Sequence, residues 1–346
     1  MSETAEQRAD TYTPRPGAPP SRPGFPRRAG ALFLRQREAT VFVVAVVLFL
    51  YFTFSNSAFL TKDNMVVFTQ DLAPIAIIAI GEVMLLICGE IDLSVGFIYA
   101  FAPFLMHYLI DFYGVPGILA IVLSLLMGVV VGWVNAFLTV TVGVPSFITT
   151  LGTGFVLDGI LLTTSHGEPA QIPNAVVGIG HWFGTYAWSE IVWAVVLVAI
   201  FHVVLTRTRW GLHTIAVGGN SLGAHEAGIN VARIKYGNFM ITGFVGALVG
   251  LQVAFQTSSI DPSNGGYQAM FYSVTAAVIG GTAMLGGVGT ILGAFFGAAV
   301  LAVLTDGFSI QGISANPLNI IFGVAILIAM IANVSLARLR GEGRAR

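Results

Sequence analysis

Charge is the scarcest commodity in this sequence. Lys, Arg, Asp and Glu make up 10% of the 346 residues, against 55% hydrophobic ones, and mean hydropathy is +0.83. Soluble domains carry roughly 25% charged residues, so this chain cannot cover a water-facing surface, and a soluble globular fold is excluded. Cysteine is nearly missing as well. Cys88 stands alone, so no intrachain disulfide is possible. Lys62 and Lys235 are the sole lysines, and neither follows a glycine. A Walker A loop needs Gly-Lys to cradle phosphates, so no nucleotide-hydrolysing loop is present. The histidines at 107, 166, 181, 202, 213 and 225 are scattered, with no His-Glu-x-x-His pair. No resident metal, cofactor or nucleic-acid partner is expected, and the chain reads as a non-enzyme.

What is abundant is continuous apolar sequence. A helix needs about 20 mostly apolar residues to cross the hydrocarbon core. Runs at 39–55, 117–142, 191–205, 239–255, 290–304 and 318–332 suit that length. Those at 72–88, 93–110, 147–162 and 269–281 are shorter or more polar but read as spans too. The runs do not alternate apolar and polar residues, which excludes an outer-membrane barrel. The expected fold is all-α and polytopic, with about ten transmembrane helices.

Topology follows from the basic residues. With the N-terminus in the cytoplasm and ten crossings, fifteen of the sixteen Lys and Arg fall inside, and only Lys62 falls outside. Both termini are then cytoplasmic. Residues 1–37 read as a disordered basic tail, 38–336 as the transmembrane domain and 337–346 as a second basic tail. External loops are expected at 62–71, 111–116, 165–189, 258–268 and 307–317. The longest carries Trp182, Tyr186 and Trp188, suited to an interfacial aromatic belt. The one substantial cytoplasmic loop is 206–236. There Asn220 or Ser221 caps a short helix, 222–227, and Gly228 ends it. Glycines at 128 and 132, and at 289, 293 and 297, repeat every four residues. Helices in lipid need such small residues to approach closely.

The acids inside the apolar runs need an account, because an intramembrane acid is a functional hypothesis by default. Glu82 and Asp158 are candidates. Asp306, beside Gly307, is expected at an external helix end, solvated at the interface. "GEIDLSVG" at 89–96 reads as a helix break: Gly89 closes one helix, Asp92 caps the next, and Ser94 and Gly96 complete the turn. Glu90 is left without a role. An ion-coupled secondary transporter using Glu82, Asp92 or Asp158 stays open at this point.

Four blocks carry a family resemblance: "GEIDLSVG" at 89–96, "VPSFITTLGT" at 144–153, "AVGGNSLGAHEAGINVARIK" at 216–235 and "AVIGGTAMLGGVGTILGAFFGA" at 277–298. In this order the chain resembles the permease subunits of ATP-binding-cassette importers for monosaccharides of the ribose, xylose and arabinose type. The resemblance implies a multi-pass protein of the bacterial inner membrane, embedded in lipid and paired with a second permease copy. It implies cytoplasmic ATPase subunits that hold Mg-ATP and a periplasmic sugar-binding protein. It also places the ATPase-coupling segment at Gly218, Gly219, Asn220, Glu226, Ala227, Gly228 and Asn230.

A neutral sugar or polyol needs hydrogen-bonding side chains and aromatic faces. On that ground the expected path residues are Glu82, Asn135, Phe147, Thr150, Phe155, Asp158, Gln252, Phe255 and Gln256, with Thr149 and Thr153 as further polar candidates. Two positions depart from the family pattern. Glycine is commoner at 90, and an arginine-containing form is commoner around Asp158, which leaves room for a substrate other than a plain hexose or pentose. The related permease branch for branched-chain amino acids or nucleosides shares this layout and remains an alternative.

Overall fold

A computed structural model describes residues 37–313 and scattered positions between 320 and 331. The helices are α1 (Arg37–Ser55), α2 (Lys62–Ile87), α3 (Val95–Asp111) and α4 (Gly117–Ala136), which runs on through a π-helical stretch, Phe137–Val142. Then come α5 (Ser146–Ser165), α6 (Val177–Gly180), α7 (Ser189–Arg207), α8 (Arg209–Gly219), α9 (Ser221–Glu226), α10 (Val231–Thr257), α11 (Gly266–Ile279) and α12 (Ile291–Ile310). Two short strands, β1 (Ala170–Gln171) and β2 (Ser259–Ile260), pair antiparallel and tie the α5–α6 connection to the end of α10.

Among the described residues seven helices are long and apolar enough to cross a membrane: α1, α2, α4 with its π-helical extension, α5, α7, α10 and α12. The apolar α3 is shorter, at 17 residues. The run expected at 269–281 forms α11, with 14 residues. These two lie among the longer helices, α3 against α10 and α4, α11 against α12 and α2. The remaining expected span, 318–332, falls mostly on residues outside the described set, as do both tails.

The bundle is organised around α2 and α10. In α2 83% of the apolar window is covered by protein and in α10 78%, whereas in α1 the figure is 17% and in α4 and α5 28%. The first two are therefore core helices and the last three peripheral. Their composition fits this division. The central helices are rich in Ala, Gly, Ile and Val with isolated polar residues; α4 turns Val122, Leu126, Val130 and Trp133 outward.

Close packing depends on small residues. A Cβ on Gly128 would lie 2.3 Å from the Gly243 carbonyl oxygen, and a Cβ on Gly243 would lie 2.0 Å from that of Gly128. The α4 and α10 backbones thus touch directly. The glycine repeat near the C-terminal end does the same for α12, where a Cβ on Gly293 or Gly297 would meet the carbonyl of Gly280 or Ala276 at 2.1 Å. Lipid supplies no hydrophobic drive between helices, so this backbone contact is a main source of their attraction.

Two expectations are corrected. Residues 62–71 are not a loop but the first turns of α2, with Thr61 at its N-cap. Hydropathy reads this stretch as polar because it assumes lipid around it. Here its polar groups meet protein: Asn64 Nδ2 donates to Asp306 Oδ2 at 2.8 Å. For the same reason Asp306 is not solvated at an interface. It is 3% exposed, within α12.

The glycine contacts make a direct prediction. Gly128→Ala drives a methyl into the α10 backbone and lowers stability by about 1–3 kcal/mol, as overpacking does. Gly178→Ala, which meets nothing within 4 Å, leaves it unchanged. Thermal unfolding of the two variants in the same detergent checks the difference.

Candidate functional site

The α2–α3 junction sits within the bundle. Cys88 caps α2, and Gly89 follows at φ +76°, the left-handed conformation that glycine adopts freely. The Gly89 N–H donates to the Leu86 carbonyl at 2.9 Å and the Glu90 N–H to that of Leu85 at 3.0 Å, which closes the helix end. From Ile91 to Ser94 the backbone is not helical. Buried, non-helical backbone needs partners for its polar groups, and side chains from other helices supply them. The Leu93 N–H donates to Thr150 Oγ1 at 3.0 Å and the Ile91 N–H to Ser146 Oγ at 3.4 Å, both on α5. Asp92 Oδ1 accepts from the Ser94 N–H at 2.8 Å and from the Ser94 hydroxyl at 2.5 Å. Asn135 Nδ2, on α4, donates to Ser94 Oγ at 2.8 Å and lies 3.3–3.4 Å from the Asp92 carboxylate. Asp92, Ser94, Asn135 and Thr150 are all fully buried.

Gly96, expected within the break, lies inside α3 instead. Its backbone touches α11, since a Cβ there would sit 1.9 Å from the Gly266 carbonyl oxygen.

A second cluster surrounds the C-terminal end of α2. Asn238 of α10 donates to the Met84 carbonyl at 3.1 Å and to Cys88 Sγ at 3.2 Å, and accepts from Trp210 Nε1 at 2.9 Å. It thereby joins α2, α8 and α10. Gly218, at the end of α8, packs on the Ile87 carbonyl, where a Cβ would come within 1.5 Å, and the Gly287 N–H donates to that same carbonyl at 2.8 Å. Glu90, unexplained by sequence, pairs with Lys235 of α10 at 2.5 Å.

The segment from α8 to α10 is held by three caps. Asn220 Oδ1 accepts from the Gly223 N–H at 2.9 Å and begins α9. Gly228 ends it at φ +84°, with the Ile229 N–H donating to the Ala224 carbonyl at 3.0 Å. Asn230 Oδ1 accepts from the Arg233 N–H at 2.9 Å and begins α10. Residues 219–223 spell Gly-Asn-Ser-Leu-Gly, the letters of a hydrolase nucleophile elbow. That motif requires a strand before the serine, whereas Ser221 follows α8. Beside the segment, Val140, His225, Gly228, Ile229, Asn230, Val231 and Ala232 line an open hollow of about 530 Å³. Gly219 faces open space, Leu222 is 70% exposed, and Glu226 and Ala227 are exposed.

The other residues chosen from sequence do not converge on one cavity. Glu82 is fully buried on α2 and faces the Asp92 backbone, with neither carboxylate oxygen in a well-formed hydrogen bond. Phe255 is buried against Gly180 and Phe183, and Gln252 is buried with an unpartnered amide nitrogen. Gln256 is half-buried. Phe147 and Phe155 are exposed on α5, and Asp158 is half-buried there. Sequence reasoning missed Ser146, Trp210, Lys235 and Asn238. The legible signal for Asn238 was an amide in a span; the others carried none beyond residue type.

The family described as the permease component of the branched-chain amino acid transport system matches residues 64–331. The chain belongs to that family. Among curated relatives, the permease is 37% identical to the xylose/arabinose import permease protein XylH of Sulfolobus acidocaldarius, over 86% of this chain and 85% of the relative. It is 30% identical to the fructose import permease protein FrcC of Rhizobium meliloti, over 86% of each chain. To the ribose import permease protein RbsC of Escherichia coli strain K12 it is 30% identical, over 80% of this chain and 87% of the relative. No solved structure matches it significantly. The permease is thus a multi-pass membrane protein of a family of transport components, similar to sugar importers.

The break makes a testable demand on Thr150. Thr150→Val orphans the buried Leu93 N–H and destabilises the permease by about 1–3 kcal/mol, whereas Thr150→Ser keeps the hydroxyl and most of the stability. Paired thermal melts in detergent read the difference.

Proposed function

We propose that the permease, with a second copy of itself, forms the translocation path of an ATP-driven importer for a monosaccharide or related polyol. The uncovered face of α5 carries this reading. The helix exposes Phe147 and Phe155, leaves Asp158 half-buried and has open space at Gly152 and Gly159. An acid at the middle of a lipid-facing helix costs about 2.5–3.5 kcal/mol on insertion scales. A water-filled seam between two copies removes that cost and presents an acceptor and aromatic faces to a neutral sugar. Asn135, Thr150 and Phe255 are then supports behind the path rather than its lining, because the break and the core already occupy them. The sugar substrate is supported by the relatives' names; the family's description leaves branched-chain amino acids as the second reading.

In this reading the described helices belong to about ten crossings, with both termini and both basic tails in the cytoplasm and the protein in the bacterial inner membrane. The chain hydrolyses nothing itself. Separate ATPase subunits holding Mg-ATP dock on α8 and α9, where the exposed Leu222 and the hollow beside Gly228 offer a knob and a socket. A periplasmic binding protein delivers the sugar at the other end. ATP binding closes the ATPase pair, and the docked segments tilt the helices between two states.

Reconstitution tests this. Uptake of labelled D-xylose, D-ribose or D-fructose into vesicles should require the permease, its ATPase, ATP and the binding protein together. Uptake driven by an ion gradient without the ATPase would overturn the importer reading in favour of a secondary transporter. Glu226→Lys and Gly228→Arg should abolish uptake while leaving membrane insertion intact, as measured by alkaline extraction of the membranes.

A further inference from the structure

Most contacts between the α8–α10 region and the α2–α3 junction are neutral and end on α2 itself, at Met84, Ile87 and Cys88. Gly218 rests on the Ile87 carbonyl, at the last residue of α2. Asn238 adds neutral hydrogen bonds. The Glu90–Lys235 pair differs in kind. It is an attraction between unlike charges at 2.5 Å, with the Glu90 side chain 12% and the Lys235 side chain 20% exposed, so water and salt screen it less than a surface pair. Its two ends are on rigid supports. Lys235 lies in the second turn of α10, directly beyond the Asn230 cap, and only residues 227–230 separate α10 from α9. Glu90 immediately precedes Ile91–Ser94, whose backbone is bonded to α5. Motion of α9 therefore reaches Lys235 with little slack, and motion of Glu90 reaches the break and α3.

We propose that Glu90 and Lys235 form the positioning pair that pulls the α2–α3 break when the ATPase-docked α9–α10 segment moves. The pair tethers the junction beyond the end of α2, next to Ile91–Ser94, where the neutral contacts hold only α2. The proposal rests on the docking reading of α9 above, and it assigns Glu90, the acid that neither the helix break nor a path for a neutral substrate requires.

The test uses the permease assembled with its ATPase in lipid nanodiscs. On a Cys88→Ser background, spin labels at Arg233→Cys in the first turn of α10 and Phe112→Cys at the far end of α3 report their separation by pulsed electron resonance. Both positions are exposed. ATP with vanadate should shift that separation in the reference protein. Glu90→Gln and Lys235→Met should each lose the shift while still co-purifying with the ATPase. The exchanged pair, Glu90→Lys with Lys235→Glu, should regain it, which a general loss of stability would not allow. An undiminished shift in the single variants, no rescue in the exchanged pair, or no shift in the reference overturns the proposal. Glu226→Lys serves as the separate control: it should lose the ATPase, and full co-purification there would overturn the docking reading itself.

Discussion

Between Cys88 and Ser94 the chain leaves helical geometry, and from Asp92 to Ser94 it is buried within the bundle, so its backbone amides must find protein partners there. Several features of the bundle follow from this. α5 has to lie close enough for Ser146 and Thr150 to accept from Ile91 and Leu93. α4 has to bring Asn135 to Ser94 and Asp92. An aspartate at 92 is useful because it accepts locally from both the N–H and the hydroxyl of Ser94, the residue at the N-cap of α3. The break is thus a junction of four helices, and a change in any of them reaches the other three.

Glycine sets how near those helices come. The α4–α10 contact at Gly128 and Gly243 and the α11–α12 contact at Gly280 and Gly293 have backbone against backbone. In water, apolar burial would drive such association; in lipid, dispersion and backbone contacts have to do so. The consequence is a core with almost no freedom to accommodate larger side chains, and therefore one whose helices move as packed units. A machine that tilts helices between two states benefits from units of that kind.

The polar groups that looked functional in isolation divide into three sets once packed. Asn135 and Thr150, chosen as path residues, are occupied by structural hydrogen bonds. Asp158 is half-buried and the neighbouring aromatic rings of α5 are exposed. Glu82 and Gln252 are buried with unsatisfied polar atoms among the described residues, so polarity alone did not sort path from support.

Hydropathy made the all-helical membrane class legible in the sequence, and the capping residue types did the same for the α9 cap-and-glycine signature. These are local properties: a bilayer sets how many apolar residues a span needs, and a cap is decided within a few positions. The helical start of α2 was misread because hydropathy presumes lipid where the fold supplies protein. The partners that define the site were not legible, because they are distant in the chain. Thr150 meets Leu93 across 57 positions and Lys235 meets Glu90 across 145. Residue type offers no way to choose among such pairings; only the packing of backbone on glycine brings the particular side chains within hydrogen-bond reach.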